Sequence, residues 1–102
     1  VLLLLLNSSC CLLKEILLST GTVNGSIVSA RDILIYALKY EAVSFILLHN
    51  HPSGNPTPSK ADIMQTEYIR KAACLTNIEL ADHIIIGDNC YYSFRKEEML
   101  HE

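Results

Sequence analysis

No CxxC pair occurs in this chain, although it carries four cysteines, Cys10, Cys11, Cys74 and Cys90. Without one, neither a zinc ribbon nor a thioredoxin-like redox pair can be built. Signs of secretion are missing too. The apolar run Val1–Leu6 has no basic flank and is too short to span a bilayer. The four thiols are therefore expected to be buried or half-buried in a reducing, cytoplasmic setting. Nor is there a basic run. Eight Lys and Arg are scattered among eleven Asp and Glu, for a net charge of −3. A domain that grips phosphates is usually basic and shows a Lys/Arg stripe. Direct nucleic-acid binding by this segment is thus not expected, and neither is membrane insertion. Internal repeats, low-complexity tracts and linkers are also missing.

What is present is a single domain's worth of chain, 102 residues, half of them apolar. That suffices for a core without staples, and leaves room for an interface with a second copy or a further domain. The chain does not begin with Met, and residues 1–102 are expected to be one domain truncated at its N-terminus.

Val1–Leu6 reads as a strand buried on both faces, Asn7-Ser8-Ser9 as a turn, and Cys10–Leu18 as a strand pairing back. Ser19–Ser26 is loop. Ser29-Ala30-Arg31-Asp32 matches a capping box opening a helix from Ala30 to Glu41. Val43–Leu48 is a central strand. After a loop holding all three prolines, a second helix runs over Ser59–Thr76, with Asn77 as its stop. Ile78–Gly87 and Cys90–Phe94 are strands, and Arg95–Leu100 closes with a helical turn. This order predicts an α/β (α+β) fold, one mixed sheet flanked by helices.

The chemistry lies in His49-x-His51, seven further residues, then Ser59-x-x-Asp62. At a strand end, residues i and i+2 point to one face with Cα atoms roughly 6–7 Å apart. Two imidazoles so placed can converge on one ion. On the first turn of a helix, i and i+3 share a face, so Ser59 and Asp62 can look back at the strand end together. Ser59-x-x-Asp62 taken alone spells an ordinary capping box. Thr57-Pro58, however, offers the helix a separate N-cap with proline at the first helical position. Two imidazoles and one carboxylate, with a fourth position left to water, describe a catalytic zinc site at His49, His51 and Asp62. Ser59 would donate to the oxyanion of a tetrahedral intermediate.

His49-Asn50-His51-Pro52-Ser53-Gly54 through Pro58-Ser59-Lys60-Ala61-Asp62 closely resembles the RadC proteins, the prokaryotic branch of the JAMM (MPN-plus) metallopeptidases. Gly21-Thr22-Val23-Asn24, Ser29-Ala30-Arg31-Asp32, Asp82-His83-Ile84-Ile85-Ile86-Gly87 and Ser93-Phe94 resemble that family's landmarks in order, over nearly the whole chain. The resemblance implies a JAB/MPN fold related to cytidine deaminases, one Zn2+ on His49, His51 and Asp62, and Ser59 stabilising the oxyanion. The reaction implied is hydrolysis of a peptide or isopeptide bond in a partner substrate. The family's general-base glutamate would fall ahead of Val1, and no residue here takes its place. The alternative implied by the RadC name is a non-catalytic binding module associated with DNA repair or recombination. Deaminase chemistry is not implied, because H-x-E and P-C-x-x-C are both missing.

The remaining polar residues divide between site and scaffold. His83 could orient a ligand imidazole or be structural. Lys60, Asn50, Ser53 and Asn55 could line the cleft, and the loop asparagines and serine could equally cap backbone. His101 is expected to have no role.

Overall fold

The structure, a computed structural model, describes residues 1–18 and 29–97. The loop expected over Ser19–Ser26 and His101 lie outside them. The elements are β1 (Leu2–Leu6), β2 (Leu12–Leu17), α1 (Ala30–Lys39), β3 (Ser44–Asn50), α2 (Lys60–Leu75), β4 (Glu79–Ile86) and β5 (Tyr91–Ser93). The strands form one mixed sheet ordered β2-β1-β3-β4-β5. Only β3 and β4 run parallel, as expected where a helix, α2, makes the crossover between them. The fold is α+β, as the element order implied.

The two faces of the sheet differ. Register pairs Leu3 with Leu47 and Leu5 with Phe45, and these four side chains are buried in one cluster with Ile33 and Ala37 of α1 and Ile69 and Ala73 of α2. Strand alternation puts Leu2, Leu4, Ile46, Leu48 and Ile84 on the other face. There they stay half-buried and outside that cluster. The expectation that β1 is buried on both faces therefore holds for one, because both helices contribute to the same side. No helix among the described residues is long and apolar enough to cross a membrane.

Three local expectations are corrected. The second strand starts at Leu12, not Cys10, because the Asn7 carboxamide oxygen accepts from Ser9 N–H (2.9 Å) and Cys11 N–H (3.0 Å) and curls the chain through Cys10 at φ +60°. All four cysteines are exposed rather than buried. Cys10 and Cys11 sit at that turn, Cys90 at the turn before β5, and Cys74 beside the buried Ala73 but facing out. The first helix ends at Lys39, with Glu41 beyond it in the left-handed region. The second ends as expected, Asn77 at φ +59° donating to the Cys74 carbonyl and Ile78 to that of Ala73. At the chain's far end, Phe94–Glu97 forms a turn, and the rest of the expected Arg95–Leu100 helical turn lies outside the described residues.

A β-bulge matters for the site. Phe45 pairs with Leu80 but Ile46 with Asp82, so Ala81 is the extra residue. The Asp82 carboxylate braces it, accepting from His83 N–H (2.7 Å), Arg95 N–H (3.1 Å) and the Ser93 hydroxyl (2.6 Å). Simple alternation would put Leu80 and His83 on opposite faces. The bulge brings both to the buried one.

Candidate metal centre

His49 is the penultimate residue of β3, and His51 lies one step past its end. The His51 N–H still donates to the Ile86 carbonyl (3.1 Å), extending the β3–β4 pairing beyond the strand. The two imidazoles consequently share a face and meet edge to face, centroids 4.9 Å apart at 87°. The loop that follows is docked against the β4–β5 turn. Gly54, at φ +83°, lies so close to Asp88 that any side chain would collide with it, and its carbonyl accepts from Asp88 N–H (2.8 Å). Within the loop, Ser53 Oγ accepts from Asn55 N–H (3.3 Å) and Asn55 Oδ1 from Thr57 N–H (3.0 Å). Ser53 and Asn55 thus take the backbone-capping role.

Helix α2 supplies the carboxylate, and here the expected cap is corrected. Ser59, not Thr57, is the N-cap, and helix α2 begins at Lys60. The Ser59 hydroxyl accepts from Asp62 N–H (3.0 Å), and Asp62 Oδ2 accepts from Ser59 N–H (2.8 Å), a complete capping box. It prevails because it satisfies two end donors reciprocally. Capping does not remove Asp62 from the site. The same Oδ2 lies 3.2 Å from His51 Nε2. Box and ligand set are compatible.

One donor atom from each of His49, His51 and Asp62 falls within 4.8 Å of the others, the one such cluster among the described residues. Ligands at about 2.0–2.1 Å from a tetrahedral zinc stand roughly 3.3 Å apart. The His51–Asp62 pair, at 3.2 Å, already matches that, and the other separations are no more than 4.8 Å. The tautomer fits as well. His51 Nδ1 lies 2.9 Å from the Asn55 carbonyl, an acceptor only, so Nδ1 carries a proton and Nε2 is left to face the carboxylate. A second acceptor aimed at a carboxylate oxygen calls for a proton or a cation between them. The residues present fit a divalent metal ion.

Electrostatics agree. Burial would raise the Asp62 carboxyl, but the Ser59 hydrogen bonds and the nearby His49 and His51 outweigh it and hold the group below its ordinary range. Burial holds His49 below the usual imidazole value, with Asp62 opposing and His51 reinforcing. Both shifts favour the deprotonated forms a metal needs. Ser59 is exposed at the positive end of the helix dipole, its hydroxyl proton not used by the cap. Lys60 and Asn50 are exposed nearby.

The residue that pattern reading passed over is Thr66. It is one turn beyond Asp62, and its hydroxyl lies 2.7 Å from both the Asp62 carbonyl and His83 Nδ1. Its i+4 spacing from a suspected ligand was the available signal.

A family model described as the RadC-like JAB domain matches residues 1–99. Proteins named UPF0758 are similar: that of Alkaliphilus metalliredigens is 47% identical over 83 residues, 81% of this chain and 36% of its own length. That of Shouchella clausii is 44% identical over 93 residues, 91% and 40% respectively. That of Methanosarcina mazei is 46% identical over 86 residues, 84% and 38%. The chain thus spans about two-fifths of the length of these relatives. A five-stranded mixed sheet with two helices, a His/His/Asp cluster at the end of its parallel pair and a family match over nearly every residue agree: the chain belongs to the RadC-like JAB family.

Proposed function

We propose that this domain is a zinc-dependent hydrolase that cleaves a peptide or isopeptide bond, with His49, His51 and Asp62 holding the metal. The observation that carries the reading is the approach of His51 Nε2 to Asp62 Oδ2, 3.2 Å, with the Nδ1 proton committed to the Asn55 carbonyl. A zinc ion bound there supplies Lewis acidity and lowers the pKa of a coordinated water toward about 7.

The chain's own residues do the rest. Ser59, exposed at the helix N-terminus, donates its free hydroxyl proton to the oxygen of the carbonyl under attack. The capping box holds Ser59 and Asp62 in fixed relation, so the donor is placed before substrate arrives. The loop pinned through Gly54 to Asp88 keeps His51 turned inward. No residue of this chain is assigned as general base.

The test is metal analysis followed by hydrolysis. Purified protein should hold about one zinc per chain, and His49→Ala and Asp62→Ala should lose it. In the longer protein, Ser59→Ala should lower turnover by about 10²–10³-fold with the zinc retained. A protein that takes up no zinc, or variants that hold it as the parent does, would sink the reading.

A further inference from the structure

His83 stands where a hydrophobic residue would be expected. It lies on the buried face beside Leu47 and Ile85, 8% exposed, and a polar ring there is tolerated only if hydrogen-bonded. Its Nδ1 lies 2.7 Å from the Thr66 hydroxyl. That hydroxyl has one proton, and at 2.7 Å from the Asp62 carbonyl, an acceptor only, it donates it there. Thr66 Oγ1 therefore accepts from His83 Nδ1–H. A two-bond chain runs from β4 into the helical turn that carries Asp62. The same ring stacks on Phe94 (4.8 Å, 4°) and lies nearly parallel to the His49 ring (6.0 Å, 18°). His83 thus touches both elements that supply the ligands, and together with Thr66, His49 and Asp62 it lines one small cavity.

We infer that His83, acting through Thr66, is a positioning residue of the metal centre: it fixes the helical turn bearing Asp62 against the strand end bearing His49. Two features separate this from ordinary core packing. A leucine or phenylalanine would fill the space without burying a ring nitrogen that must find a partner, and the bulge at Ala81 is the device that turns this residue inward. The one hydrogen bond the ring makes among the described residues goes to the helix that carries Asp62. The inference rests on the metal reading above and adds to it a claim about how the ligand spacing is set.

The experiment compares the parent with Thr66→Val, Thr66→Ser and His83→Phe. Zinc affinity is read by chelator competition, the cobalt-substituted site by its visible absorption, and the metal-free fold by thermal unfolding. Thr66→Val and His83→Phe should weaken zinc binding by about 10–100-fold, the range for groups that orient metal ligands, and alter the cobalt spectrum. Thr66→Ser, which keeps the hydroxyl, should match the parent in both. Should Thr66→Val bind zinc as the parent does, the inference falls while the metal reading stands. Should Thr66→Ser lose as much as Thr66→Val, methyl packing is at work and the inference falls again. A parent that binds no zinc overturns the metal reading itself.

Discussion

Both helices open on the same pattern, Ser29-Ala30-Arg31-Asp32 in α1 and Ser59-Lys60-Ala61-Asp62 in α2, yet only one is a candidate for chemistry. At α1 the cap is one-way. Asp32 N–H donates to Ser29 Oγ at 3.3 Å, and the exposed Asp32 carboxylate makes no return bond among the described residues. At α2 both bonds form, at 3.0 and 2.8 Å, and the carboxylate oxygen that completes the box also faces an imidazole. The difference does not lie in the four letters. It lies in what the helix end is docked against, here the end of β3 with two inward histidines. A capping box orients a carboxylate, and its surroundings decide what the orientation is for.

The largest expected contrast is between Asp62→Ala and Asp32→Ala. The first removes a proposed ligand and should weaken zinc binding by more than the roughly 100-fold that loss of an orienting group brings. The second should leave affinity unchanged. Chelator competition on both variants decides it, and equal losses would erase the distinction.

Acid should separate the two ends next. Burial pushes the His83 imidazole down to about 4 from 6.5, with His49 reinforcing. Between those values the unfolded chain binds a proton that the folded chain refuses, so stability falls as pH drops through that window. Each pKa unit is about 1.4 kcal/mol, so the metal-free protein should lose about 3 kcal/mol from pH 6.5 to 4. The depressed Asp62 carboxyl acts lower: its contribution is present above the unfolded value of 3.8 and is lost as pH falls further. Denaturant unfolding at pH 7 and 4.5 should show the first loss in the parent and little of it in His83→Phe. A parent with flat stability across that range would mean His83 titrates freely.

The caps themselves differ less. Ser59→Ala removes half of a reciprocal box and should destabilise by about 1–2 kcal/mol, against about 0.5–1 kcal/mol for Ser29→Ala. Equal values would mean that the return bond from Asp62 contributes nothing measurable.

Local signals carried most of this into the sequence, and non-local ones carried the rest. The apolar run ahead of His49 marked β3, the i, i+2 histidines marked its end, and the spacing to Asp62 marked the cluster, because each is read along one continuous stretch of chain. Thr57-Pro58 reads as the better cap on the letters alone because a capping Ser59-x-x-Asp62 looks spent, yet Asp62 Oδ2 both closes the box and faces His51 Nε2. The bulge at Ala81 was illegible, since Asp82 is braced by Ser93 and Arg95 from beyond the next turn. Without the bulge, His83 could not be given a face. The cysteines were misplaced because average burial is a property of the residue type, whereas Cys10 sits where an Asn7-built turn forces the backbone left-handed.

The opposite ends of the same helices give the finest contrast. Each closes with the same paired bonds, Glu41 to Leu38 and Ala42 to Ala37 in α1, Asn77 to Cys74 and Ile78 to Ala73 in α2. Each needs one left-handed residue, Glu41 at φ +56° and Asn77 at φ +59°. Asparagine tolerates that region through its short polar side chain, while glutamate bears about 1–2 kcal/mol of strain. Glycine removes the strain but adds freedom to the unfolded chain, about 0.4–1 kcal/mol. Glu41→Gly should therefore raise stability by about 0.5–1 kcal/mol, and Asn77→Gly should change it by a few tenths at most. If denaturant unfolding finds the two gains equal, the backbone penalty at Glu41 is already relieved by its surroundings, and the helices end as alike in energy as they do in geometry.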